Sequence, residues 1–87
     1  MEQEFLIVAF ESSHDAMKAE TLLNREGLSV RLIPLPPEVS AGCGLALRSE
    51  LDQESKVREI LQREVIKGDF YRLIRKGIQR IVERMEQ

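Results

Sequence analysis

The sequence predicts an α+β fold, a ferredoxin-like βαββαβ antiparallel sheet with an additional C-terminal helix, from three observations. The run Phe5-Leu6-Ile7-Val8-Ala9-Phe10 is short and apolar on both alternating faces, as a central strand covered on at least one side should be. Two Ser-x-x-Asp spacings, Ser12 with Asp15 and Ser49 with Asp52, stand ahead of segments with a helical apolar period. After Lys67-Gly68, the aromatic-rich stretch Asp69-Phe70-Tyr71-Arg72-Leu73-Ile74 supplies the closing strand of a split βαβ unit.

Taken in order, the first helix runs from the Ser12 cap to Gly27, with Ala16, Ala19, Leu22 and Leu23 on its inward stripe. Gly27 suits the C-terminal cap, and β-branched and aliphatic alternation resumes over Ser29–Leu35 as the second strand. Pro34, Pro36 and Pro37 end that strand, because proline donates nothing to a ladder and restricts the residue before it. A loop follows over 36–44, then a third strand over 44–48 and a second helix with Val57, Ile60 and Leu61 inward. In the last third, Phe70, Leu73, Ile74, Ile78, Ile81, Val82 and Met85 keep a helical period broken only at Gly77, so residues 69–74 are open to either reading. The split unit needs a strand there, which leaves a helix over about 76–86 whose stripe Ile78, Ile81, Val82 and Met85 could serve a homodimer.

With 87 residues, 43% hydrophobic and 32% charged, the expectation is one domain over 1–87 with its core over about 4–75. No apolar run approaches the roughly 20 residues of a membrane-spanning helix, and no basic leader precedes Phe5, so a cytoplasmic protein without membrane partners is expected. One cysteine and one histidine are too few for a structural zinc site or an intrachain disulfide, and no cofactor motif is present. Residues 67–87 carry six basic and three acidic side chains. They lack the interleaved aromatics and module signatures of nucleic-acid binders, so a solvated face is the expectation there.

The chemistry converges on Cys43. In the expected arrangement, the loop between the second and third strands returns to the end of the sheet where the first helix begins, near Ser12, Ser13 and His14. Orphan N–H groups and the helix dipole at that end would favour a thiolate, the reactive form of cysteine. Gly42 and Gly44 remove bulk on both sides of the sulfur, so a partner's active site could approach closely. The alternative is a small hydrophobe at a strand start with glycines that serve only the turn, in a non-catalytic adaptor or regulatory module. His14 and Ser13 in a first helical turn read first as part of a cap, and four consecutive residues over 12–15 do not define a triad.

Ser12-Ser13-His14-Asp15-Ala16 with Glu20, Leu32-Ile33-Pro34-Leu35-Pro36, and Ser40-Ala41-Gly42-Cys43-Gly44-Leu45-Ala46-Leu47-Arg48 together resemble the selenium/sulfur carrier protein-like domain family. The resemblance covers residues 5 to about 74 and is most specific in the proline-rich approach to Ser40–Gly44. It implies a cytosolic carrier rather than a stand-alone enzyme. In such a carrier the cysteine matching Cys43 takes sulfur or selenium from a cysteine desulfurase or other donor, holds it as a persulfide or selenopersulfide, and passes it to an acceptor enzyme. Pro37 stands where the family pattern has an arginine.

Overall fold

The computed structural model describes residues 2–87. The elements run β1 (Glu2–Ala9), α1 (Ser13–Arg25), β2 (Val30–Pro34), β3 (Leu45–Glu50), a 3-10 turn (Leu51–Gln53), α2 (Glu54–Arg63), β4 (Asp69–Lys76) and β5 (Gln79–Arg84). The strands form one five-stranded sheet in the order β2-β3-β1-β4-β5, every neighbouring pair antiparallel. The fold is therefore α+β, with β1 and β2 parallel to each other on either side of β3.

Local chemistry explains most of the boundaries. The Ser12 hydroxyl accepts from the Asp15 N–H at 3.1 Å and caps α1. At the other end Gly27 has φ +88°, and the Leu28 N–H reaches back to the Leu23 carbonyl, the bond that closes a helix whose next residue is left-handed. Ser49, expected to cap the second helix, instead lies in β3. Its hydroxyl donates to the Glu50 carbonyl and accepts from Gln53 Nε2, whose side chain also pairs with both backbone groups of Ser29. The chain then spends a 3-10 turn before α2 starts at Glu54, so the second spacing marks a strand-to-turn junction rather than a capping box.

The last third departs from expectation. Residues 69–76 are strand, but 79–84 are strand as well, and no C-terminal helix forms. Gly77, at φ +62°, opens a two-residue turn between the paired Lys76 and Gln79, a conformation that favours a hairpin and breaks a helix. The supposed stripe is dispersed as a result. Ile78 sits fully exposed on the turn, Ile81 is 49% exposed, and Val82 and Met85 join different apolar clusters. The homodimer that the helix was to supply loses its surface.

Those clusters lie on opposite faces of the sheet. Leu6, Val8, Phe10, Leu47 and Phe70 pack with Ala16, Ala19 and Leu23 of α1 and Val57, Ile60 and Leu61 of α2. On the other face, Ile7, Ala46 and Leu73 are buried with Phe5, Ile33, Leu35, Tyr71 and Val82 around them, although no helix covers that side. Burying a side chain of this size contributes about 1.5–3 kcal/mol, so the face needs a cover. Part of the cover is the β2–β3 loop. Pro36 and Val39 are buried, and Glu38 forms an ion pair with Arg80 on β5, which requires the loop to cross the face diagonally.

Candidate functional site around Cys43

Cys43 lies near the end of this ten-residue loop, residues 35–44. The loop neck is closed where the Leu35 N–H donates to the Gly44 carbonyl at 2.9 Å, extending the β2–β3 ladder by one bond. Inside the loop, the Val39 N–H donates to the Pro36 carbonyl at 3.0 Å, and this turn aims Glu38 outward. Glu38 then meets Arg80 through two contacts, Nη2 to Oε1 at 2.7 Å and Nε to Oε2 at 3.2 Å. The hydrogen bond from Arg80 holds the Glu38 carboxyl below its ordinary range, and the same bond raises Arg80.

A second anchor lies beside the cysteine. A Cβ built on Gly42 would stand 2.8 Å from the carbonyl oxygen of Glu11, the residue just ahead of the α1 cap. Only glycine allows that approach, so the loop is held against the exit of β1. Gly44 serves a different need: its φ of +72° is the left-handed turn into β3, with no heavy atom near a hypothetical Cβ.

The Cys43 thiol is free and half-buried. Its sulfur accepts from the Leu45 N–H at 3.4 Å and donates to the Leu45 carbonyl at 3.3 Å, while the side chain packs against the helix-side cluster. The hydrogen-bond partners of the sulfur thus belong to its own hairpin, while the adjacent Gly42 lies against Glu11, one residue ahead of the α1 cap. Ser12 is engaged as the α1 cap. Ser13 and His14 are exposed, as is Ser40, and among the described residues none of these three side chains hydrogen-bonds to Cys43. Of the expected site residues, Gly42, Cys43 and Gly44 form one unit; among the described residues, Ser12, Ser13, His14 and Ser40 make no hydrogen bond to the sulfur.

A cavity of about 530 Å³ opens next to this unit. Ala41 and Glu11 form its wall on the loop side, with Phe10, Leu61 and Phe70 as its apolar floor and Lys67 at the rim. Arg58 closes another side, stacked 4.0 Å over the Phe70 ring and donating to the carbonyls of Glu86 and Gln87. Among the described residues, no group of three or more His, Cys, Asp or Glu side chains could hold a metal ion. No helix among them is long and apolar enough to cross a membrane. Glu38, Arg80 and Glu11 were not visible as site residues in the sequence. Gly42 and Gly44 were, but as small neighbours of a sulfur rather than as a contact and a turn.

A small α+β domain with a lone thiol on a two-point-anchored loop is the class that the fold and site define. A family model described as "Putative Se/S carrier protein-like" matches residues 5–72, and the chain belongs to that family. It is also 34% identical over 61 residues to a protein of Methanocaldococcus jannaschii described as uncharacterized, an alignment covering 70% of this chain and 30% of that protein. No solved structure matches. The family match takes in the cysteine loop and stops short of β5 and Arg80.

Proposed function

We propose that this chain is a cytoplasmic carrier of sulfur or selenium that holds the atom on Cys43, on a ferredoxin-like core made by β1 to β4 with β5 as an added edge. The observation that carries this reading is the membership of a carrier-like family through a segment whose only thiol stands between two glycines with separate structural duties. In the loading step, the Cys43 sulfur gives up its proton and attacks the terminal sulfur of a donor's cysteine persulfide. A new S–S bond forms at Cys43 as the donor's S–S bond breaks and its cysteine leaves as the thiolate. Delivery repeats the exchange: an acceptor nucleophile takes the terminal sulfur and Cys43 leaves as the thiolate, with no external oxidant or reductant in either step.

The Leu45 N–H aimed at the sulfur is suited to stabilise that leaving thiolate. Acid–base groups can come from the partners, a cysteine desulfurase or other donor and an acceptor enzyme, which fits a site where His14 and Ser13 make no hydrogen bond to the sulfur. The adaptor reading, with Cys43 structural, draws on the packing of this side chain against the helix-side cluster. Incubation with a cysteine desulfurase and cysteine separates the two. The carrier gains one sulfur in intact mass, reversibly with reductant, and Cys43→Ser abolishes the gain while unfolding at nearly the same temperature. No gain from several donors, together with a thiol protected from alkylation until unfolding, overturns the carrier reading.

A further inference from the structure

The sheet face opposite the helices is crossed by a row of register partners that spans all five strands: Arg31, Arg48, Ile7, Tyr71 and Arg84. Arg75 and Arg80 are paired with each other four residues further along β4 and β5, on the same face. Five arginines thus share a face on which the strands place only two acids, Glu50 and Asp69, although the chain as a whole is net −2. Two of the cross-strand pairs, Arg31 with Arg48 and Arg75 with Arg80, set like charges directly opposite, an arrangement that disfavours the isolated sheet. Arg80 is relieved by Glu38, and Arg84 by Asp69 at 3.6 Å. Among the described ion pairs, Arg31, Arg48 and Arg75 have no acidic partner, and Arg31 and Arg75 are exposed.

We propose that this face docks an acidic surface of a partner protein. The Glu38 fork on Arg80 is an internal instance of the same recognition, a carboxylate from another segment crossing the face and taking two guanidinium contacts. A protein fits better than a nucleic acid, because the two aromatic rings of the face are already attended by arginines. Arg48 lies 4.8 Å over Phe5 and Arg84 5.8 Å from Tyr71, so neither ring is bare for a base to stack on. The proline-containing loop also crosses the face and interrupts any continuous groove for a strand of nucleotides. The Cys43 side chain packs on the helix side of the sheet, so a partner seated on the arginines meets the cysteine loop through Glu38, which is paired with Arg80, rather than the sulfur itself. Only the naming of that partner as donor or acceptor rests on the carrier reading.

The test is an amide-shift titration of the isotope-labelled chain with a ten-residue polyglutamate peptide at low salt, alongside a ten-nucleotide single-stranded DNA. The peptide should shift the amides around Arg31, Arg48, Arg75 and Arg84, and raising the salt should weaken the effect. Arg31→Thr with Arg75→Thr, both exposed and outside every described ion pair, should weaken binding about tenfold with the unfolding temperature preserved. Shifts scattered over the whole chain, binding indifferent to the double variant, or tighter binding of the oligonucleotide on the same face would each overturn the proposal. A chain that binds the peptide on these arginines yet gains no sulfur from a desulfurase refutes the carrier reading alone.

Discussion

Gly42→Ala probes the anchor beside the cysteine. The new Cβ would lie 2.8 Å from the Glu11 carbonyl oxygen and 3.7 Å from its carbonyl carbon. That oxygen is main chain, one residue from the Ser12 cap, so no side-chain rotation relieves the overlap, and the loop has to draw back from β1. Overpacking of this kind costs about 1–3 kcal/mol. In a domain of this size each kcal/mol lowers Tm by about 4–8 °C, so a fall of at least about 4 °C is expected by circular dichroism. Gly44→Ala is the control. Its φ of +72° costs an alanine about 1–2 kcal/mol, with no atom within 4 Å of the added methyl, so it should lower Tm comparably and leave the loop in place. The two should differ in the native-state rate at which Cys43 reacts with iodoacetamide, faster in Gly42→Ala and near wild type in Gly44→Ala. An unchanged Tm and labelling rate in Gly42→Ala would refute the anchor.

Gly68→Ala should be destabilising by about 1–3 kcal/mol, because its Cβ would fall 2.5 Å from Val8 Cγ1 and 3.2 Å from Phe10 Cε1. Adding Val8→Ala should recover part of that loss, and a double-mutant cycle by urea unfolding checks the coupling. The Glu38 carboxyl is lowered when folded, so what it adds over Glu38→Gln is fully present above the ordinary glutamate pKa of about 4.3. That advantage should fade as pH falls through the lowered folded value, and the difference in Tm between wild type and variant, followed from pH 7 to pH 2, reads the sign. Truncation after Lys76 removes β5 and Arg80 and exposes the edge of β4; it should lower Tm and promote association in sedimentation, whereas an unaffected monomer would show that β5 contributes nothing to the sheet.

The parts of this chain that could be read from sequence are those whose cause lies within a few residues. Ser12 caps α1 through a bond to Asp15, Gly27 ends it, and the alternation from Val30 to Pro34 is a strand whatever surrounds it. Ser49 illustrates the limit. Its spacing to Asp52 matches a capping box, but its hydroxyl is claimed by Gln53, which is held in turn by Ser29 just ahead of β2. The C-terminal segment misleads for a related reason. A strand on a sheet with one apolar face must alternate, but this sheet buries apolar side chains on both faces. Val82 in β5 faces one cluster and Met85, just past the strand's end, joins the other, so residues 78–85 meet the spacing of a helix without being one.

At the site, the sequence singled out Cys43 but not what holds its loop. Cys43 and its glycines are adjacent in the chain, so their association was legible before any fold was known. The contacts that place the loop are not adjacent: Glu38 and Arg80 are 42 residues apart, and Gly42 meets a carbonyl at the far end of β1 that no side-chain pattern marks. Arg80 and Arg84 in particular read as part of a cationic tail. Only the strand register turns that tail into one end of an arginine face, with Arg31 and Arg48 at the other, and makes Glu38 the acid that joins the face to the cysteine loop. A partner's carboxylates competing for Arg80 would loosen that join, so docking on the face and release of the loop around Cys43 draw on the same guanidinium.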